Sequence, residues 1–292
     1  MRLSFSALVF ACAAAALPAA SPLESAQALV QAKQYPEARA ALEKIVAAEP
    51  KNAAALHELG LLLRKRADNA AFEQAIADLA HAAELEPQNE RYLADYGGAA
   101  MEFAGRVRAD SLTRALGFAT KGRDAMEKAL TMNPEDTEAR VGLFQFYSQA
   151  PWPVGSSAKA GAQLEEIRRR DPTRAVLLEL GAKVAAKDYA GAFSVCDRVL
   201  ANNPSDYLAL YSYGRVAAIS GQNLERGFAC LQKCLALEPP GPTMPTHSHA
   251  WNRLGDIQQK LNRPAEARVA YVAALKEDPG NKPAADSLAK LK

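Results

Sequence analysis

Several places in the sequence bring together side chains of the kinds that do chemistry. "HELGL" at His57 begins like the HExxH helix of a zinc hydrolase, where two histidines four apart hold the metal and the glutamate is the base. Leu61 stands where the second histidine must be, so that motif is incomplete. Ser156 and Lys159 spell SxxK, a serine-acylation motif, yet its companions SDN and KTG are absent. The paired serines ahead of "AKAGAQLEEI" read instead as a helix cap. His247 and His249 sit two apart in a proline-rich linker, with no cysteine or carboxylate cluster beside them to complete a metal site. Cys230 and Cys234 form no CxxC, so a thioredoxin-like redox site has no support. The runs Arg64-Lys65-Arg66 and Arg168-Arg169-Arg170 end expected helices, where cations complement the dipole. No glycine-rich phosphate loop follows a strand, because no strands are evident. The expectation is no enzyme, no metal and no cofactor.

Composition agrees with a helical, non-catalytic chain. Of 292 residues, 49% are hydrophobic and only 7% aromatic, and alanine is plentiful, which favours close-packed helices over a sheet core. A formal net charge of +2 supplies no global field to draw nucleic acid or an anionic membrane.

The N-terminus has its own pattern. Arg2 precedes an uncharged, mostly apolar run from Leu3 to Leu17, and small residues follow. That layout is a secretory signal peptide over residues 1–20, with cleavage near Ala19 to Ser21. The run is shorter than the roughly 20 residues needed to span a bilayer. Lipid attachment at Cys12 is disfavoured, because Phe10 stands where such signals prefer a small residue. The expected location is therefore outside the inner membrane, in the periplasm, with no membrane span after signal removal. Cys196, Cys230 and Cys234 remain, an odd number that leaves at least one thiol unpaired in the monomer. They read as small core fillers, with a bridge from Cys196 to one of the others left open.

The helices that must position any site are clearest from Ser248 to Pro279. Trp251, Leu254 and Gly255 follow helical spacing, as do Ala267, Tyr271 and Ala274. "NRP" separates the two runs, Pro264 suits a first helical turn, and Pro279 can follow a helix but not continue it. An antiparallel helix pair results, with Gly255 and Ala267 allowing close approach and the two aromatics filling the space beside them. This stretch resembles the tetratricopeptide repeat at all seven of those signature positions. One such pair cannot bury both its faces, so neighbours are required.

The chain supplies them. Prolines at 50, 87, 134, 172, 204, 239 and 279 are 37, 47, 38, 32, 35 and 40 residues apart, against the family's period of about 34. Leu59-Gly60, Tyr96-Gly97, Leu180-Gly181 and Tyr213-Gly214 match Leu254-Gly255, while Phe144 replaces the glycine in the repeat from Thr137. The first repeat shows only its second helix clearly. The resemblance implies an all-α fold, an α-solenoid in which antiparallel helix pairs build a right-handed superhelix. It would occupy 22–292 as about seven repeats, with irregular loops near 104–122, 150–157 and 239–247 and a capping helix over 283–292.

Such solenoids bind other molecules on a concave surface lined by the first helix of each repeat. The resemblance places His57, Leu61, Arg64, Arg91, Asp95, Gln145, Tyr211, Arg215, Asn252, Arg253 and Asp256 there. Tyr211, Arg215, Asn252 and Arg253 fall on adjacent repeats and suit a carboxylate or a peptide backbone. Trp152, between two prolines, is a stiffened aromatic contact point. The expected function is an exported interaction scaffold holding a protein or peptide partner, with no nucleic acid. Two other readings stay open: an assembly subunit of a bacterial envelope complex (secretion, polysaccharide or outer-membrane machinery), and a small-molecule binder between repeats.

Overall fold

A computed structural model describes residues 20–66, 68–150, 154–241 and 244–291. The expected signal segment with Cys12, and Trp152, lie outside the described residues. Among those described the chain is all helix, with no strand. The helices alternate as pairs: α1 (Pro22–Gln31) with α2 (Tyr35–Ala48), α3 (Ala53–Arg64) with α4 (Asn69–Leu85), and α5 (Glu90–Val107) with α6 (Leu112–Met132). They continue as α7 (Thr137–Gln149) with α8 (Ser157–Arg170), α9 (Pro172–Ala185) with α10 (Tyr189–Asn202), α11 (Tyr207–Ser220) with α12 (Leu224–Leu235), and α13 (His247–Lys260) with α14 (Pro264–Glu277). A last helix, α15 (Lys282–Lys290), follows. The first repeat thus has its first helix, started by a reciprocal cap between Ser21 and Glu24.

Local sequence explains these boundaries. Asn52, Asp68, Asn89, Asp188 and Asp206 each accept a hydrogen bond from the backbone N–H three residues on. Between first and second helices the chain reverses through a left-handed residue: Lys33 (φ 59°), Lys187 (φ 58°) and Asn262 (φ 59°), with Gly221 (φ 75°) in the sixth repeat. The segment 104–122, expected as an irregular loop, is helical except for 108–111. Val107 and Ala115 are buried there, and the Arg114 guanidinium lies 5.3 Å from the Phe103 ring centre. The insertion lengthens two helices rather than a loop.

The chain forms two compact units, divided after Leu143 inside α7. In the first, each buried cluster mixes consecutive repeats. Ala26, Leu42, Leu59 and Ala75 share one. Phe72, Leu79, Phe103 and Ala115 share the next, where the Phe72 and Phe103 rings stack 5.5 Å apart. In the second unit one cluster runs from Leu180 to Ala270, and a smaller one joins Tyr271 to Ala284 of the closing helix. A buried polar lock holds that helix: Asn281 Nδ2 donates to Ser248 Oγ (2.7 Å), which donates to the Ala274 carbonyl (2.8 Å).

The close-approach position lies seven residues before the left-handed turn residue. It is Gly255 before Asn262 and Gly214 before Gly221, but Leu180 before Lys187. A Cβ on Gly255 would come 2.5 Å from the Tyr271 ring, whereas one on Gly181 would meet nothing within 4 Å. The expected match of Gly181 to Gly255 is therefore off by one residue; Leu180 is buried in that place and Gly181 is exposed. In the fourth repeat, where Phe144 replaces the glycine, Gly142 makes a different approach, to the preceding repeat rather than to its own second helix. Its Cβ would come 2.5 Å from the Met126 sulfur of the preceding repeat.

Candidate functional site

In the first unit, α1, α3 and α5 border a hollow of about 570 Å³. Its floor is Val30, Leu61 and Leu62, and its rim carries Arg64, Glu102 and Arg106. The rim charges are tied to each other: Arg64 Nε donates to Glu102 (2.9 Å), and Arg106 Nη2 reaches the same carboxylate at 3.2 Å. His57 was expected on this face, but only 3% of it is exposed. Its Nε2 lies 2.7 Å from Asp95 Oδ2 and its ring stacks on Tyr92 with centroids 4.4 Å apart. It ties α3 to α5 and offers nothing to a ligand. Arg91, mostly exposed, lies 3.7 Å from the same Asp95 carboxylate.

The second unit differs. Tyr211 and Arg215 stand one turn apart on α11, and the Tyr211 hydroxyl lies beside Arg253 on α13, the helix that also carries Asn252 and Asp256. Arg253 Nη1 donates to Asp256 Oδ2 (2.8 Å), and the Tyr271 hydroxyl donates to the other oxygen (2.9 Å). Burial of the guanidinium opposes its charge, but Asp256 and the Tyr211 hydroxyl beside it more than offset that, holding Arg253 above the usual arginine value. Burial, with the same carboxylate, pushes the Tyr271 phenol well up. Three groups stay uncommitted. Arg253 Nε is a buried donor with no acceptor, Asn252 Oδ1 is a buried acceptor with no donor, and Arg215 is exposed with no ion-pair partner among the described residues. Tyr211 and Asn252 are themselves 7% and 4% exposed, so they form the floor of the patch and the arginines its surface. Gln145 is exposed on α7.

Tetratricopeptide repeat profiles match residues 23–87 and 248–281, the first two repeats and the last full one. These segments are tetratricopeptide repeats. A repeat protein from Parabacteroides merdae has a similar fold over 92% of this chain and 96% of its own, with a TM-score of 0.58 and 17% identity. The C-terminal part of a repeat-containing protein from Cytophaga hutchinsonii gives 0.54 at 16% identity, covering 91% and 99%. Yeast Tom70 gives 0.56 at 13% identity, covering 98% of this chain and 59% of its own. A search of curated protein sequences finds no match. At these identities the likeness shows the fold alone.

Within the repeat protein, the motifs that resembled catalytic ones have structural work. Ser156 Oγ accepts from Lys159 N (3.3 Å) as a helix cap, and Lys159 Nζ donates to the Tyr147 hydroxyl (3.2 Å). His249 caps α13 through Thr246, and His247 Nε2 lies 2.8 Å from the Leu237 carbonyl, tethering the proline-rich linker. Cys196, Cys230 and Cys234 are free and buried. Burial, with the nearby Asp197 carboxylate, pushes the Cys196 thiol up to about 12, so it is held as an inert thiol. Proteins of this family are in general non-catalytic scaffolds. No helix among the described residues is long and apolar enough to cross a membrane.

Proposed function

We propose that this protein is an exported, non-catalytic scaffold that holds an extended segment of a partner protein on the face made by α11 and α13. The observation that carries it is the pairing of a bare donor, Arg253 Nε, with a bare acceptor, Asn252 Oδ1, on adjacent positions of one helix. A peptide group offers the matching carbonyl and N–H. Leaving such groups buried and unmet costs about 1–3 kcal/mol each, so a bound backbone that draws them outward recovers that energy. The exposed Arg215 guanidinium adds a site for a carboxylate of the same segment. Export is supported by the signal-like pattern of Arg2 and Leu3 to Leu17.

The test begins with a photo-crosslinking residue at 215 in intact cells, followed by mass spectrometry and a binding isotherm with the captured segment. Arg253→Gln should weaken that isotherm by about tenfold or more, the usual effect of losing a charged hydrogen bond, with helical content unchanged. Binding indifferent to both Arg215→Ser and Arg253→Gln removes this face from the function.

A further inference from the structure

The last two repeats carry a second feature, which shares α13 with the face just described but involves α12 and α14 in place of α11. Phe228, Gln232, Trp251, Leu254, Gln258 and Val269 line a groove of about 490 Å³ between α12, α13 and α14. Val269 of the groove and Val272, one turn further along α14, are 68% and 52% exposed, and among the described residues no other helix exposes two large apolar side chains. Ala265, Val269, Val272 and Lys276 fall at helical spacing, a narrow apolar stripe with a cation at its end. Independently, Gln258 in the groove is only 6% exposed, and its Oε1 has no donor. The groove thus contains an acceptor that nothing in the described chain meets.

We propose that this face joins two copies of the chain, with α14 of each lying antiparallel along α14 of the other. The charges on α14 are self-complementary. Glu266 in its first turn and Lys276 in its last lie five residues either side of position 271. A twofold axis opposite that position brings Glu266 of one copy to Lys276 of the other, twice. Each ammonium then arrives at the end of the groove lined by Glu266 and Gln258, where it neutralises the carboxylate and donates to the amide oxygen as that amide turns outward. Ala265 and Ala273 let the helix axes approach, while the valines fill the seam. Acid at a helix start and base at its end also suit that helix's own dipole. The dipole does not account for the exposed valines or the bare amide oxygen. One helix pair and a shallow groove lie at the small end of stable interfaces, so the dimer dissociates in the micromolar range or above.

Sedimentation velocity of the purified chain over a concentration series tests this. The wild type should pass from one chain to two as concentration rises. Glu266→Lys and Lys276→Glu alone should each weaken dimerisation at least tenfold. An equimolar mixture of the two should regain it, because each repulsive end meets its complement. Val269→Glu should abolish dimerisation. Circular dichroism melts should stay close to wild type for all variants, since every substituted side chain is exposed. A single-chain mass at every concentration overturns the proposal. So does wild-type dimerisation by the single variants, or a mixture that fails to recover what they lose.

Discussion

The fifth and seventh repeats share a plan and solve its packing in opposite ways. In the seventh, Gly255 sits under Tyr271; in the fifth, the positions equally far from the left-handed turn hold Leu180 and Cys196. Both pairs are sixteen residues apart, and both members of each pair are buried in their helix interface. The first repeat, with Ala26 and Leu42, falls between them, and the sixth sets Gly214 against Leu231. Whichever helix brings the larger side chain, the other brings the smaller. What the repeat preserves is the volume filled between its helices, not the identity of the residue at either place, as expected of interiors packed to near-crystalline density. The same reciprocity explains Cys196: it is the small partner that Leu180 requires.

The strongest way to break this comparison is to exchange the two solutions. Leu180→Gly leaves a cavity and puts glycine inside a helix, so it should destabilise the α9–α10 pair by about 3–5 kcal/mol. Cys196→Tyr alone should also destabilise, by overpacking. Together they recreate the arrangement of the seventh repeat, and the double variant should be more stable than the sum of the singles by about 1–3 kcal/mol. Hydrogen exchange resolved to α9 and α10 is the measurement, because repeat arrays open locally rather than all at once. Strict additivity would show that the two positions are not coupled. Next in size is Gly255→Ala. The new Cβ would lie 2.5 Å from a fully buried ring, and overpacking of that kind costs about 1–3 kcal/mol. Protection should be lost in α13 and α14.

Much of this was legible in the sequence where several signals coincide. In the last repeat, proline at the second helix's start, glycine at the close approach and an aromatic opposite it agree, and the helix pair follows. In the fifth, the dipeptide Leu180-Gly181 resembled the signature, but the turn at Lys187 sets the register one residue away. Lysine gives little warning that it will take a left-handed conformation. The segment 104–122 read as an irregular loop because the 47-residue spacing there exceeds the repeat period, while the buried Val107, Ala115 and their aromatic neighbours made it helix. His57 shows another gap. Its position in the repeat suggested a binding face, yet its fate was decided by Asp95, thirty-eight residues on in the next repeat. Position within a repeat says which surface a side chain approaches; the residues of the neighbouring repeat decide whether it is already engaged. By that standard Arg215 and Arg253 keep capacity that His57 and Arg64 have spent on their own neighbours.

The smallest effect is the sharpest test of register. Gly181 and Gly255 each follow a buried leucine in the middle of a first helix, so sequence alone predicts the same response to a methyl group. The structure predicts opposite signs. At Gly181 a Cβ would meet nothing, and the substitution only removes glycine's excess backbone freedom, worth about 0.5–1 kcal/mol in a helix interior. Gly181→Ala should therefore raise the midpoint of thermal unfolding by a few degrees, while Gly255→Ala lowers it. If both substitutions destabilise, Gly181 lies against α10 after all, Leu180 is not its replacement, and the size exchange with Cys196 fails with it.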